Sequence, residues 1–275
     1  MDESLLEKPR IIAKSLVAHH PVLPAYAEHV TILLVGSLGS GFGDELSDVD
    51  LWVLCADAAS SGLSADLKRA GLRFNELPPN EFSLEDLKAH YFVFPISRFR
   101  DALVSHDDYS LFLLRHSLVL HDPSRQFAAL SECFASLPRE VVNEKVRTAY
   151  SRVRIYAAGV GERLRRFQPV VWLEDWRDLV EWTLRLCCWL DAEPPAVSKW
   201  LFQHAAKCST APIFLPAVSQ LLDSIGPALT HGRSGATGDP AIVGAAEAIA
   251  SAARRAMDTA GFSDIASKVV LVKKW

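Results

Sequence analysis

Residues 31–55 read TILLVGSLGSGFGDELSDVDLWVLC. Residues 31–35 are a short β-branched and aliphatic run, the pattern of a buried strand. The run ends at Gly36-Ser37 and opens a loop carrying Gly39, Gly41 and Gly43. Residues 48–54 read as a second strand, with Asp48 and Asp50 two residues apart. Strand side chains alternate between faces, so both carboxylates are expected on one face, with Val49 and Leu51 on the other. Two carboxylates side by side repel unless something neutralises them. A hard divalent cation does so through oxygen ligands, and Mg2+ commonly bridges one or two carboxylates to substrate phosphates. A glycine-rich loop lets backbone N–H groups come close to such phosphates. A Gly/Ser turn before an ordinary surface strand would not account for an acidic pair in so apolar a run.

Gly36-Ser37 followed, after ten residues, by Asp48-Val49-Asp50 inside apolar flanks resembles the signature of the polymerase-β-like nucleotidyltransferase superfamily. In character the run is most similar to the small-molecule enzymes of aminoglycoside and lincosamide type. The resemblance covers the first half of the chain well and the second half only in general character. It implies an α+β fold, with a small mixed β-sheet forming a nucleotidyltransferase catalytic domain over residues 1–137. An all-helical substrate-binding domain is expected over 138–275. The implied activity is transfer of a nucleotidyl group, expected to be adenylyl, from an NTP, expected to be ATP, to a hydroxyl of a small molecule. Mg2+ is the implied cofactor, with Asp48 and Asp50 as catalytic metal ligands and Gly36 and Ser37 as contacts to the nucleotide phosphates.

One position departs from the family pattern. In relatives a third carboxylate sits on a further strand, five residues before a proline. The matching segment here is AHYFVFPISRF, and His90 stands five residues before Pro95. Three readings follow. His90 is itself a catalytic ligand or base, since neutral imidazole can serve as either. Alternatively Glu76, on a strand expected over 72–77, supplies the third carboxylate. Or the site binds nucleotide and has lost catalysis. A nucleotidyltransferase acting on a protein or RNA partner is the remaining alternative.

The chain has 275 residues, 49% hydrophobic and 23% charged, which suits two domains with cores of their own. A formal net charge of −4 argues against a general nucleic-acid binder. The first ten residues, MDESLLEKPR, carry acid where a signal peptide carries base, and no apolar run reaches membrane-spanning length, so a cytoplasmic protein without membrane association is expected. The five cysteines are odd in number and form no C-x-x-C pair, and they read as reduced, buried thiols.

Around this stretch, residues 9–20 have helical apolar spacing closed by Pro21 and Pro24. The segment AASSGLS reads as a loop before a short helix at 64–70, and 83–88 as a helical turn. A strand is expected at 91–94, helices at 97–104 and 107–116, and a short strand at 118–122. From Pro138 long helical patterns replace strands, beginning with a basic stretch over 139–167. Residues 171–190 form the clearest amphipathic helix, with Trp172, Trp176, Leu179, Thr183, Leu186 and Leu190 on one face. Glu174, Asp178 and Glu181 line the opposite face, either as a solvated stripe or as contacts to a cationic substrate. Lys199-Trp200, following Pro194-Pro195, resembles a segment in the helical domains of small-molecule nucleotidyltransferases, which implies that Lys199 reaches a phosphate. Further helices are expected at 212–224 and 240–260.

Overall fold

The computed structural model describes residues 3–84, 87–105, 107–165, 169–231 and 240–269, with the backbone alone at 84, 87, 102–104, 133, 134, 161–165, 169–172 and 225–231. The glycine-rich loop before Pro240, Trp172 of the amphipathic helix, and Arg163, Arg165 and Arg166 of the basic stretch lie outside the described side chains. The fold is α+β, and the chain divides into two compact units, Met1–Ser136 and Leu137–Trp275.

The first unit is built on a five-stranded mixed sheet. Its strands are β1 (Val30–Val35), β2 (Val49–Cys55), β3 (Asn80–Leu84), β4 (Leu87–Pro95) and β5 (Leu118–His121), in the order β3-β4-β2-β1-β5. Only the β2–β4 pair is parallel, and the other three pairs are antiparallel. Helices α1 (Ser4–His19), α2 (Gly36–Gly39), α3 (Asp57–Arg69), α4 (Ser97–Ser105), α5 (Asp108–Arg115) and α6 (Gln126–Ala135) complete this unit.

Strand alternation divides the sheet into two unlike faces. Val30, Ile32 and Leu34 of β1, Val49, Leu51 and Val53 of β2, and Ala89, Tyr91 and Val93 of β4 join one core with Ile12 and Leu16 of α1 and Leu63 and Leu67 of α3. The opposite face carries Asp50 and Trp52 on β2, and His90, Phe92 and Phe94 on β4. Phe99 of α4 stacks on Trp52 at 4.9 Å between ring centroids and meets Phe94 edge-on at 5.9 Å. The aromatic half of that face is thereby closed, while Asp50 and His90 keep side-chain exposures of 39% and 43%.

At the far end of the sheet, Thr31 Oγ1 donates to Asp122 Oδ1 at 2.7 Å. Asp122 Oδ2 accepts from the Phe127 and Ala128 amides and so satisfies the first turn of α6. Asp107 performs the same service for α5 through the Ser110 amide.

Three local expectations are corrected. Residues 72–77 form no strand but an irregular connection, in which Asn75 takes φ +58° and its amide donates to Val93 O. A helical turn was expected at 83–88, but residues 83 and 84 belong to β3 and pair antiparallel with 88 and 87 of β4, while 85 and 86 lie outside the described residues. The AASSGLS segment is helical, and α3 begins at Asp57. Gly62 faces Tyr26 there, and a Cβ would lie 3.0 Å from the Tyr26 hydroxyl. Tertiary packing selects these conformations over local turn signals.

The second unit is helical: α7 (Arg139–Arg165), α8 (Pro169–Leu190), α9 (Ser198–Ala205), α10 (Ala211–His231), α11 (Pro240–Thr259) and α12 (Ser263–Lys268). Val142, Val146, Ala149, Val153 and Val160 of α7 are buried at helical spacing, as are Leu179, Thr183, Leu186 and Leu190 of α8. The Thr183 hydroxyl donates to Leu179 O, which makes it tolerable in that core. The buried face of α11 is mostly alanine, including Ala245, Ala246, Ala252, Ala253 and Ala256, and short side chains let helices approach closely. Cys55, Cys187, Cys188 and Cys208 are buried free thiols. Among the described residues no helix is long and apolar enough to cross a membrane.

His20 ties α1 to the sheet. Its Nδ1 accepts from the Val22 and Leu23 amides at 3.1 and 3.0 Å. The ring hydrogen therefore sits on Nε2, which donates to the Tyr91 hydroxyl at 2.7 Å. Burial lowers the His20 pKa to about 4 and pushes that of Tyr91 up to about 12. The unfolded chain thus takes up this proton before the folded one as pH falls, and stability declines between the two values. We expect His20 to remove about 3 kcal/mol of stability between pH 6.5 and pH 4. His20→Gln should be less stable at pH 7 and show a flatter decline across that window in denaturant melts. An unchanged slope would contradict the buried neutral imidazole.

Candidate metal and nucleotide site

The site is made by the turn out of β1. At Gly36 the backbone takes φ +67°, a conformation that side chains disfavour, and a Cβ there would lie 2.5 Å from Asp50 Oδ2. Both constraints require glycine. The β1–β2 register sets Val35 opposite Asp50, so the chain reverses directly beside the carboxylate. A single short turn, α2, follows, tied by Ser40 N to Gly36 O at 3.1 Å and by Phe42 N to Ser37 O at 2.9 Å. Gly39 ends this turn against β1, where a Cβ would run into the Leu34 carbonyl. The Ser37 side chain makes no hydrogen bond among the described residues and is half-buried beside Gly36. The Ser40 hydroxyl is buried without a partner among the described residues.

The return to β2 is shaped by Asp44. Its Oδ1 accepts from the Leu46 amide at 3.0 Å and the Ser47 hydroxyl at 2.9 Å, while Ser47 Oγ accepts from the Asp44 amide. This closed Asx-type turn delivers exposed Asp48 to the start of β2. The site thus presents the carboxylate oxygens of Asp48 and Asp50 next to a glycine-bearing backbone turn, an arrangement that suits a divalent cation and phosphate oxygens.

His90 is the direct neighbour of Asp50 in the β2–β4 register, with Nδ1 3.9 Å from Asp50 Oδ1. Glu76 lies in the irregular connection before β3 and not on the strand beside β4. The residue opposite His90 on that strand is Glu81, which the sequence reading missed because it took the adjoining residues for a helical turn. Tyr109 was missed as well. Its ring is 50% exposed, and its hydroxyl pKa is raised by burial, then by the charges of Asp50 and Asp107, which sets the phenol in the field of the site. An exposed tyrosine after two aspartates gives no sequence signal of that neighbourhood.

The remaining candidates lie in the second unit. Lys199 is exposed, with Nζ 4.2 Å from the centre of the Trp200 ring. Asp178 Oδ1 accepts from Arg177 Nε and Nη2 at 3.0 and 2.7 Å, and burial and then the neighbouring Asp178 raise the pKa of the Tyr156 hydroxyl. Glu181 pairs with Arg185 at 2.9 Å. Two of the three carboxylates in the acidic stripe therefore carry cations from their own helix, and Glu174 is exposed. Gly36, Ser37, Asp48, Asp50 and His90 belong to one unit, and Lys199, Glu174, Asp178 and Glu181 to the other.

No family model matches the chain. No curated protein matches it by sequence. Among solved structures the chain is similar to a nucleotidyltransferase-like protein from Exiguobacterium sibiricum 255-15, with a TM-score of 0.50 and 11% identity. The match covers 93% of this chain and 76% of that one. At that identity the likeness concerns the backbone, and the chain has a nucleotidyltransferase-like fold.

Proposed function

We propose that the protein transfers a nucleotidyl group from an NTP, with ATP as the assigned donor, to a hydroxyl of a small molecule. The observation that carries this reading is the packing of the Gly36 turn against Asp50, with Asp48 at the head of the same strand. In this reading Asp48 and Asp50 hold Mg2+, which when bound neutralises phosphate charge. Gly36 lets the backbone turn lie directly against Asp50, so that a phosphate on the ion held there meets the turn, and the Ser37 hydroxyl donates to a phosphate oxygen. The acceptor oxygen forms a bond to the α-phosphorus while the α–β phosphoanhydride bond breaks. Pyrophosphate leaves, and the acceptor proton passes to a base, for which His90 is the adjacent imidazole. Most of the rate acceleration then comes from positioning and charge neutralisation. Lys199 is assigned to phosphate binding, and Glu174, Asp178 and Glu181 to the acceptor. Of the three carboxylates, Glu174 is the most available to a cationic acceptor such as an aminoglycoside.

A second reading, nucleotide binding without transfer, is favoured by His90 standing beside Asp50 where relatives carry an acid. Incubation with each NTP, Mg2+ and a panel of hydroxyl-bearing aminoglycosides, lincosamides and metabolites separates the two. Transfer releases pyrophosphate, and binding alone does not.

Two outcomes are expected. Asp48→Asn and Asp50→Asn should each lower acceptor-dependent pyrophosphate release by about a thousandfold or more, as loss of several kcal/mol of charge stabilisation requires. Their melting temperatures should stay near wild type, because both side chains are at least partly exposed. Retained turnover in both variants would remove the metal assignment. Gly36→Ala should cost about 1–3 kcal/mol in denaturant melts, because it combines a strained φ with displacement of Asp50. It should also weaken Mg-ATP binding at least tenfold. Full nucleotide affinity in a folded Gly36→Ala protein would show that the turn does not contact the ligand.

A further inference from the structure

The second unit carries a groove that nucleotide chemistry does not use. It lies between α10 and α11 and has a volume of about 490 Å3. Pro212, Pro216 and Gln220 line it from α10, and Ala248, Ser251 and Arg255 from α11. Spacings of three and four residues keep each set on one side of its helix. The floor is apolar. Ala217 and Ala248 end in single methyl groups, so the helices meet there without filling the space above, and Ile213 extends the same surface. The Pro212 and Pro216 rings add apolar area and bring no N–H donor.

The rim is polar and unengaged. The side chains of Gln220, Ser251 and Arg255 make no hydrogen bond or ion pair among the described residues. Arg254, one position earlier, pairs instead with Asp258 at 3.1 Å, and Asp258 also accepts from the Ser263 hydroxyl. The acid nearest Arg255 in sequence is thereby taken. Ser251 and Thr259 stand four residues to either side of Arg255, where a carboxylate would pair with it along the helix. Among the described lining residues Arg255 alone carries charge.

These features define the chemistry of an occupant. A volume of this size lies in the range of roughly 300–1,000 Å3 that takes small organic molecules. Arg255 stands seven residues from Ala248 along α11, about 10 Å, and so holds one end of the groove. An extended octanoate chain spans that distance. Its methylenes would leave water for the alanine and proline surface. Its carboxylate would meet the paired N–H donors of a guanidinium, which suit a carboxylate's two oxygens.

We propose that the α10–α11 groove binds a small amphipathic monocarboxylate, with its apolar body on Ala217 and Ala248 and its carboxylate on Arg255. The site lies wholly within the second unit and shares no residue with the Asp48–Asp50 centre, so it stands or falls apart from nucleotidyl transfer.

The test uses the full chain near neutral pH, with alanine and isoleucine methyl groups labelled for NMR and octanoate as the probe. Octanoate should saturate one site and shift the methyl resonances of Ile213, Ala217 and Ala248. Arg255→Gln, at an exposed position, should weaken binding at least tenfold while melting as wild type does. Octanamide keeps the chain and loses the charge, and it should bind at least tenfold more weakly. Acetate keeps the charge alone and should not saturate the site. Ala248→Glu sets a carboxylate on the floor and should abolish octanoate binding. Equal affinity in wild type and Arg255→Gln, equal binding of octanamide, or methyl shifts confined to residues outside the groove would each overturn the inference, as would no saturable binding by the wild type.

Discussion

Residue 36 has room for a hydrogen atom and no more, because Asp50 Oδ2 occupies the volume where a Cβ would sit. That contact binds the turn after β1 to the head of β2, and the rest of the site depends on it. It fixes the end of β1, since Val35 must pair with Asp50 before the chain can reverse. It also brings a backbone turn and a carboxylate to within van der Waals distance without an intervening side chain. An alanine at this position would have to move either the turn or the acid.

The sheet supplies the second constraint. β2 and β4 run parallel and in register over seven residue pairs, so their second face changes character at the same level on both strands. Asp50 and His90 form one polar row, and Trp52 and Phe92 begin an aromatic patch immediately beside it. Phe99 of α4 and Phe94 of β4 cover the Trp52 side of that patch. Water is excluded from one half of the face and retained at the other. Charged groups at the boundary are half-exposed, which leaves them able to bind ligands while the aromatic wall limits the directions from which a ligand can arrive. The buried His20–Tyr91 hydrogen bond holds β4 from the opposite side, so the strand that presents His90 is anchored to α1.

Much of this was legible in the sequence where local pattern and tertiary demand agree. The β-branched run before Gly36 and the acidic pair inside an apolar strand allow little else. The helices of the second unit follow from apolar spacing over many turns, as in α8, and Asp107 announces the start of α5 as an N-cap. What was not legible depends on partners distant in sequence. Residues 80–84 are strand because β4 offers them an antiparallel ladder, and their short polar run gives no strand signal alone. Glu81 therefore escaped notice, and Glu76 was considered in its place. Tyr109 lies in the field of Asp50 because of how α5 packs, which no spacing reveals. The Glu181–Arg185 pair is an ordinary i, i+4 contact readable from sequence, whereas the nearness of Tyr156 on α7 to Asp178 on α8 is not.

The central claim is that the Gly36 turn and the Asp48–Asp50 pair form one centre for a metal-bound nucleoside triphosphate. Calorimetric titration of the wild-type protein with ATP, first with a divalent cation and then with excess EDTA, tests it most directly. The account predicts saturable one-to-one binding with the cation and at least a tenfold loss of affinity without it. Equal affinity in the two conditions, or no binding in either, would contradict it.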